Sequence, residues 1–269
     1  MTAAPAREPL ILRANRDGYA VLTLNAPASR NALSDAMIAA LQAELDATAA
    51  DAAMRALVIA ANGPAFCAGH DLKEITARRA DPDRGRRHFA DLMARCATMM
   101  QTIVNLPVPV IAAVEGVATA AGCQLAASCD LAVAGAAARF ATPGVNIGLF
   151  CSTPMVALSR NVSRKHAMEM LLTGEMIDAG RAERMGLVNR VVPAGEALAE
   201  ACALAERIAS KSRLTLRTGK RAFYAQLEMG LADAYAYAAQ VMVENMLARD
   251  AEEGIGAFVE KRQPVWRDA

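Results

Sequence analysis

The stretch GVATAAGCQLAASCD, residues 116–130, constrains the fold of this chain more than any other segment. It follows the β-prone run VPVIAAVEG (108–116) and is built almost entirely of small residues, which let backbones pack closely or let a ligand reach the main chain. A second small-residue junction, NGPAFCAGHDLKEI (62–75), follows the β-prone run RALVIAA (55–61). Strands that alternate with helices through such junctions predict βαβ-type crossovers and layered sheets rather than a barrel or a sandwich.

Helix signals support this α/β prediction. Ser34 has the character of an N-cap before the amphipathic segment 35–49, and a long helix is predicted from Arg86 to Leu106, where the PVP sequence ends it. After residue 155 the chain is predicted to be almost wholly helical. We therefore expect an α/β core over residues 1–195 and a helical C-terminal region over residues 196–269, which packs on a neighbouring subunit because so many helices cannot all cover one sheet.

Composition excludes several classes of function. Over 269 residues the formal net charge is +1, which gives no reason to expect nucleic acid or an anionic membrane as a partner. No apolar run approaches the ~20 residues of a membrane span. The six cysteines form no CxxC pair and no metal-ligand set with histidine, so they predict reduced, buried thiols and no metal site. No cofactor is expected either. The N-terminus MTAAPAREPLILR lacks the features of a targeting segment, so a cytoplasmic location is expected.

The two small-residue junctions also suggest a chemistry. Each leads into a predicted helix, and a helix N-terminus presents unpaired N–H groups at the positive end of its dipole. Ala68-Gly69-His70 and Ala120-Ala121-Gly122 would, if they face each other, aim main-chain donors at one developing oxyanion, as an enolate or a tetrahedral intermediate from a thioester requires. Small residues before a helix also occur for close packing alone, so the residues leave both interpretations open.

Longer blocks of sequence carry a family resemblance. AFCAGHDLKEI, PVIAAVEGVATAAGCQLAASCDLAVA and FATPGVNIGLF resemble the three signature blocks of the enoyl-CoA hydratase/isomerase, or crotonase, superfamily. LLTGEMIDAGRAERMGLVNRVVP resembles the block that follows them, and GIGAFVEKRQPVW resembles the C-terminal helix. The resemblance extends from about residue 12 to residue 266. It implies a crotonase-like spiral of ββα units with a helical C-terminal trimerisation region, in homotrimers or dimers of trimers.

The resemblance also implies a ligand and its contacts. The ligand is an acyl-CoA, whose thioester carbonyl accepts hydrogen bonds from the backbone N–H groups of His70 and Ala121. The residues that resemble CoA-binding positions are Arg30, Asn31, Ala32 and Leu33 at the nucleotide end, Ala68, Asp71, Leu72 and Lys73 beside the adenine and pantetheine, and Phe258 and Lys261 toward a neighbour's CoA phosphates.

Two positions depart from the family pattern. A hydratase of this superfamily uses two glutamates around one water, and those positions correspond to Gln124 and Gly144 here. A carboxamide can orient water but does not exchange a proton at usable cost, and glycine has no side chain. Each missing proton-transfer group forfeits on the order of 10²–10⁴ in rate. Efficient hydration of an enoyl-CoA is therefore expected to be absent, and so is isomerisation with a base at residue 144.

Other residues could act instead. The His70 side chain is an acid/base candidate beside the cleft, although loop histidines are often merely solvent-exposed. Asp71 and Glu74 are better explained as charges that fix a helix start. Cys151 stands where similar dihydroxynaphthoyl-CoA synthases have an acid, so that reaction is not carried over. A packed Cys151 thiol is favoured over a nucleophile.

Three hypotheses about function follow. The first is a nominal enoyl-CoA hydratase of fatty-acid metabolism, deficient in standard hydration, that retains a two-N–H oxyanion hole and runs another acyl-CoA reaction, such as thioester hydrolysis or decarboxylation. The second is a non-catalytic acyl-CoA-binding or regulatory protein. The third is a structural oligomer unconnected with CoA, which leaves the paired loops unexplained.

Overall fold

The computed structural model describes residues 8–269 and consists of short strands alternating with helices. Residues 1–7, part of the segment used to predict the absence of a targeting sequence, lie outside the described residues. The strands are β1 (Ile11–Asn15), β2 (Tyr19–Leu24), β3 (Ala56–Ala61), β4 (Ala65–Cys67), β5 (Val110–Val114), β6 (Val117–Thr119), β7 (Leu131–Gly135), β8 (Arg139–Ala141), β9 (Ile177–Asp178) and β10 (Arg190–Val192). The helices are α1 (Asp35–Ala50), α2 (Leu72–Ala77), α3 (Arg86–Asn105), α4 (Ala121–Ser128), α5 (Pro154–Leu158), α6 (Arg164–Thr173), α7 (Ala179–Met185), α8 (Ala197–Ala209), α9 (Arg213–Gln226), α10 (Leu231–Met246) and α11 (Arg249–Val259).

The strands form two sheets, and the chain moves from one to the other. The larger sheet has the order β1-β2-β3-β5-β7-β10, in which β1 is antiparallel to β2 and every other neighbouring pair is parallel. The smaller sheet has the order β4-β6-β8-β9, with β4, β6 and β8 parallel and β9 antiparallel to β8. Strands of the large sheet (β3, β5, β7) are each followed by strands of the small sheet (β4, β6, β8). The predicted layered α/β fold with ββα turns is thereby confirmed.

The local sequence explains where the principal helices and strands begin. The Ser34 hydroxyl accepts a hydrogen bond from the Met37 N–H at 3.1 Å, so Ser34 caps α1 as its position predicts. Strand β3 is buried almost throughout, because α8 covers one face and the core helices cover the other. A parallel strand covered on both faces reads as a continuous apolar run, which is how the ALVIAA segment appears.

The C-terminal helices divide into two kinds. Helix α8 buries Ala197, Ala201, Leu204 and Ala205 against the large sheet. Helices α9 and α10 contain no buried residue, and α9, α10 and α11 leave many large apolar side chains exposed. The boundary at residue 195 stays a prediction. Among the described residues, no helix has the length and apolar character that crossing a bilayer requires.

One buried ion pair holds α9 to the core. The Lys220 ammonium donates hydrogen bonds to the carbonyl oxygens of Ile103 and Val108, at 2.9 and 3.0 Å, and to the Asp130 carboxylate at 2.7 Å. The same carboxylate accepts from the Tyr224 hydroxyl at 2.9 Å and from the backbone N–H of Val110 at 2.7 Å. The pair is therefore surrounded by hydrogen-bond partners, as a buried charge requires.

Candidate functional site

The candidate site lies where three parallel strands of the small sheet end. Strand β4 leads to His70, β6 leads directly into Ala121, and β8 leads through Thr142 and Pro143 to Gly144. Because parallel strands end at the same edge of a sheet, these three segments lie together. Gln124 joins them, since it lies one turn after Ala121 on α4 and so on the same helix face.

The loops after β4 and β6 are in direct contact. A β-carbon built on Gly69 would lie 2.9 Å from the Ala120 β-carbon and 3.3 Å from the Ala121 nitrogen, and Gly69 has a φ of +91°. The Thr119 hydroxyl donates to the Ala68 carbonyl oxygen at 3.2 Å, which ties the two loops together. Gly69 is therefore required by both conformation and space.

The first turn of α4 rests on the end of β4. A β-carbon on Gly122 would lie 2.0 Å from the Cys67 carbonyl oxygen, so Gly122 is small because the helix packs directly on the strand. Ala120, just before the helix, has a φ of 50° and a ψ of −119°, a strained conformation for a residue with a β-carbon. Close packing therefore explains why residue 122 is glycine. The strained conformation of Ala120 occurs where the chain turns from β6 into α4.

Two main-chain donors remain free at this contact. Within residues 8–269, neither the N–H of His70 nor that of Ala121 has a hydrogen-bond acceptor, and α4 has no side-chain N-cap. Buried N–H groups are nearly always paired in folded proteins. Two unpaired donors on touching loops can hold one oxygen atom that carries partial negative charge.

The His70 ring is largely buried rather than solvent-exposed. Its Nδ1 lies 3.4 Å from the Leu33 carbonyl oxygen, while its Nε2 is inaccessible to solvent and has no partner among the described residues. Burial lowers the pKa of His70 below its usual 6.5, and the Leu33 carbonyl and the Asp35 carboxylate oppose this shift. The imidazole is therefore neutral at pH 7.

Gln124 is also buried without partners. Its side chain is 5% exposed, and its Oε1 has no hydrogen-bond donor within the described chain. Thr142, at the end of β8, is fully buried and its hydroxyl is likewise unpaired. Thr142 was not predicted from the sequence, although a polar residue directly after a buried strand and two positions before Gly144 was a usable signal.

The Gly144 position is closed by the protein itself. The Gly144 N–H donates to the Cys151 sulfur at 3.3 Å, and its carbonyl oxygen accepts from the Leu149 N–H at 2.9 Å. A β-carbon on Gly144 would lie 2.9 Å from both the Cys151 sulfur and the Leu149 carbonyl oxygen. Burial raises the pKa of the Cys151 thiol, partly offset by the Gly144 N–H, so this thiol is packed and protonated.

The residues that resemble CoA-binding positions differ in what they can offer. The Asn31 amide is fully used, since it accepts from the Ala26 N–H at 2.8 Å and donates to the carbonyl oxygens of Asn62 and Ala65 at 2.9 and 2.8 Å. Ala32 and Leu33 are buried, and only Arg30 of this segment has an exposed side chain. The segment nevertheless borders the loop after β4, because the Ala68 N–H donates to the Arg30 carbonyl oxygen at 3.1 Å and the Leu33 N–H to that of Gly69 at 2.8 Å.

Residues 71–73 form the start of α2. The Asp71 carboxylate caps the helix by accepting from the N–H groups of Lys73 and Glu74 at 2.8 and 3.3 Å. Leu72 and Lys73 are exposed. Phe258, 85% exposed, and Lys261 lie at the end of α11, which packs against α10 and not against the three strand ends. Within one chain these two residues do not join the candidate site.

A further titratable residue, Asp35, acts on the His70 ring, and His88 in turn lies near Asp35. Asp35 begins α1, and the Nδ1 of His88, on α3, lies 3.9 Å from its carboxylate. The His88 Nε2 is buried without a partner in the part of the chain that the structure describes. Neither residue was predicted from the sequence, because they come from separate helices and no local motif links them. No cluster of His, Cys, Asp or Glu within residues 8–269 could hold a metal ion.

The architecture and the comparisons with known proteins together define a class. The family model described as enoyl-CoA hydratase/isomerase matches residues 14–269, and the chain belongs to this family, the crotonase superfamily predicted from its sequence blocks. Among its relatives is the enoyl-CoA hydratase domain-containing protein 3, mitochondrial. The rat protein is 48% identical over 98% of this chain and 87% of its own length, and the human protein is 50% identical over 93% and 81%.

Solved structures agree. A Mycobacterium smegmatis enoyl-CoA hydratase superimposes with a TM-score of 0.91 at 52% identity, covering 96% of this chain and 99% of that one. The human enoyl-CoA hydratase domain-containing protein 3 gives 0.91 at 48% identity, covering 96% and 100%. The chain is thus a crotonase-family enoyl-CoA hydratase-domain protein of the type that these relatives represent.

The same comparisons correct the predicted location. A cytoplasmic location is contradicted by the rat, mouse and human relatives, all of which are named mitochondrial. The prediction rested on the composition of residues 1–13 and on the reduced cysteines, and reduced cysteines do not distinguish one reducing compartment from another.

Proposed function

We propose that this chain binds an acyl-CoA thioester whose carbonyl oxygen accepts hydrogen bonds from the backbone N–H groups of His70 and Ala121. The observation that carries the proposal is the pair of unpaired donors on touching loops at the ends of β4 and β6. A thioester oxygen becomes more negative as an enolate or a tetrahedral intermediate forms, so fixed donors stabilise those states more than the ground state.

The proposed site is deficient in standard enoyl-CoA hydration. Adding water across a conjugated double bond requires an activated oxygen at the β-carbon and a proton at the α-carbon. Gln124 offers an amide at the first family glutamate position, and at the second Gly144 faces the Cys151 sulfur. Neither position supplies a carboxylate, so both proton transfers lose their usual partner.

Two alternatives to hydration follow from the same geometry. A non-catalytic acyl-CoA-binding or regulatory protein is favoured by the missing carboxylates. An acyl-CoA thioesterase or decarboxylase is favoured by the retained pair of donors, since both reactions build negative charge on the thioester oxygen. Turnover of a panel of acyl-CoAs separates these alternatives, because the binding protein alone processes none of them.

The CoA moiety is proposed to lie along the residues that resemble family contacts. Arg30 supplies an exposed cation, and Ala68 and Leu33 belong to backbone segments that border the same loop. Asp71, Leu72 and Lys73 follow at the start of α2, where Lys73 is exposed. Because the Asn31 amide is saturated and Ala32 is buried, these two residues act through the backbone only.

A homotrimer or a dimer of trimers is proposed as the assembly. It is supported by the exposed apolar side chains of α9–α11 and of the residues that join them, which include Leu231 at 77%, Leu247 at 78% and Phe258 at 85%. Apolar surface of this extent is typical of a protein–protein contact. Light scattering coupled to gel filtration measures the assembly. A Leu247→Asp variant should shift it to smaller species, and a wild type that elutes as a monomer would contradict the proposal.

The proposed oxyanion site can be tested by removing one donor. Ala121→Pro deletes a single N–H at the first position of a helix, where proline is tolerated, and circular dichroism must show an unchanged fold because the preceding Ala120 has a φ of 50°. Butyryl-CoA binding, measured by calorimetry, should weaken about two- to tenfold, because a hydrogen bond to a neutral carbonyl contributes about 0.5–1.5 kcal/mol. Arg249→Pro, at the first position of α11, is the matched control and should leave the affinity unchanged. Equal affinities for all three proteins would refute the site.

A further inference from the structure

The His70 side chain has features that a residue serving only as a backbone donor does not need: an anchored Nδ1, and an Nε2 that is both buried and unpartnered. A carbonyl oxygen can only accept a hydrogen bond, so the contact with Leu33 at 3.4 Å requires the proton on Nδ1. In the neutral ring this leaves the lone pair on Nε2. That nitrogen is inaccessible to solvent and has no partner within residues 8–269.

The surroundings keep this ring neutral and fixed. Segment 30–33 and the loop after β4 are bonded to each other through Leu33 and Gly69, which places the ring between the loop and the start of α1. Burial disfavours the charged imidazole, so the Nε2 lone pair carries no proton at pH 7. A neutral imidazole with a free nitrogen is competent as a general base.

We propose that the bound acyl-CoA displaces the side chains that cover the Nε2 of His70, and that this nitrogen is the base that removes the α-proton, so that one residue supplies both an oxyanion donor and a proton acceptor. The proposal rests on the oxyanion site proposed above, and it assigns the substrate class as acyl-CoAs that carry an α-hydrogen. The C–H bond breaks and the N–H bond forms on Nε2. The electron pair moves to the thioester oxygen, where the N–H groups of His70 and Ala121 hold the enolate. Return of the proton regenerates the acyl-CoA.

Proton removal by His70 does not require the two missing glutamates, and no other nearby residue is suited to the same role. Gln124 has an amide, which does not accept an α-proton, and the Cys151 thiol is packed against Gly144 and protonated. His88, the other histidine near Asp35, approaches that carboxylate through its Nδ1 at 3.9 Å and has no contact with the loop donors among the hydrogen bonds of the described residues. His70 is the histidine whose own backbone N–H belongs to the proposed site.

Acetoacetyl-CoA is a suitable probe, because its C2 hydrogens lie between two carbonyl groups and its enolate absorbs in the near ultraviolet. At pH 7, wild-type protein should convert the bound probe to the enolate. In protein labelled with ¹⁵N-histidine, Nε2 of one histidine should become protonated in step with the absorbance. The chain has three histidines, so single His→Asn variants assign each signal.

The decisive variant is His70→Asn. Asparagine retains the backbone N–H and a donor that can reach the Leu33 carbonyl, but it lacks the basic nitrogen. The rate of enolate appearance should fall by about 10²–10⁴, while the affinity for butyryl-CoA stays within about threefold. His166→Asn, on α6, is the matched control and should behave as wild type.

The outcomes separate this inference from the proposed function. Enolate that forms while His70 stays neutral, or at an undiminished rate in His70→Asn, overturns the assignment of the base. Probe that binds without any enolate also overturns it. If neither butyryl-CoA nor acetoacetyl-CoA binds the folded protein, the acyl-CoA site itself fails.

Discussion

The Cys151 sulfur lies directly against Gly144, accepting its N–H at 3.3 Å and standing 2.9 Å from where a β-carbon would be. The Leu149 carbonyl oxygen lies equally close to that β-carbon. Position 144 is therefore not an open vacancy beside the proposed site, because protein atoms already fill the space that a side chain needs.

Gly144→Ala should lower the free energy of unfolding by about 1–3 kcal/mol, since overpacking forces the neighbouring atoms apart. Urea denaturation measures this change. Adding Cys151→Gly should recover part of the loss but not all of it, because the Leu149 carbonyl remains. Gly219→Ala, in the interior of α9 with open space around it, is the control and should stabilise the protein. A harmless Gly144→Ala would show that the 144–151 segment moves freely.

Restoring both glutamates tests the same crowding through activity. Gln124→Glu combined with Gly144→Glu supplies the two carboxylates of a hydratase, but the second cannot take its place while Cys151 and Leu149 stay where they are. The rate of crotonyl-CoA hydration, measured from the decrease in enoyl absorbance, should rise by less than tenfold. General acid–base groups ordinarily contribute about 10²–10⁴ each. A hundredfold gain would contradict this account of the loop.

The buried amide of Gln124 should cost stability in the ligand-free protein. A buried polar group without partners costs about 1–3 kcal/mol, and Gln124→Met removes it at similar volume. We expect a higher melting temperature for Gln124→Met. Gln101→Met is the control, since Gln101 is exposed and bonded to the Ala97 carbonyl, and it should change stability by less than about 0.5 kcal/mol. A less stable Gln124→Met would indicate that the amide is satisfied within the folded chain.

His70 should make stability depend on pH in a defined direction. Burial lowers the pKa of His70 in the folded state below the ordinary 6.5, and the Asp35 carboxylate on α1 opposes this shift. The side chains of His88 and Arg95 on α3 also face that carboxylate. Below pH 6.5 the unfolded chain therefore binds this proton more readily than the folded chain, and stability falls as the pH decreases.

Between pH 7 and pH 5 this contribution should decline by at most about 1.4 kcal/mol per pH unit, and the His70→Asn variant should lack it. Denaturation curves at several pH values measure both proteins. Identical pH profiles for the variant and the wild type would contradict the burial of a neutral ring.

The ion pair of Lys220 with Asp130 should contribute far more than a surface pair. Lys220→Met leaves a buried carboxylate without its counter-charge, which costs on the order of 3–5 kcal/mol. Arg160→Met, which breaks the exposed pair of Arg160 with Glu228, should cost about 0–1 kcal/mol. Chemical denaturation compares the two, and similar losses would show that the Lys220 pair is solvated.

Several elements could be predicted because their signals are local. The Ser34 cap, the long helix that begins at Arg86 and the apolar run of β3 each depend on a few neighbouring residues. The three-residue strands β4 and β6 could not, since so short a segment shows no periodicity and forms only when its parallel partner is in place. Strand β1 was missed as well, because only its pairing with β2 defines it.

The candidate site shows the same division. Small residues at 68–70 and 120–122 indicated two junctions that could meet, and family blocks named His70 and Ala121. Nothing in the sequence indicated that Cys151 fills the space beside Gly144, or that Leu33 orients the His70 ring. Those relationships join residues that are 7 and 37 positions apart, and packing rather than any local pattern creates them.

The three parallel strand ends have a consequence for how such a protein changes over evolutionary time. The ladder hydrogen bonds of β4, β6 and β8 lie within the strands, whereas positions 124 and 144 follow them along the chain. A substitution beyond the last ladder bond can exchange one reactive group for another without disturbing the pairing that aligns the loops. The scaffold and the reaction it supports can therefore diverge independently, and shared architecture with hydratases does not by itself conserve their chemistry.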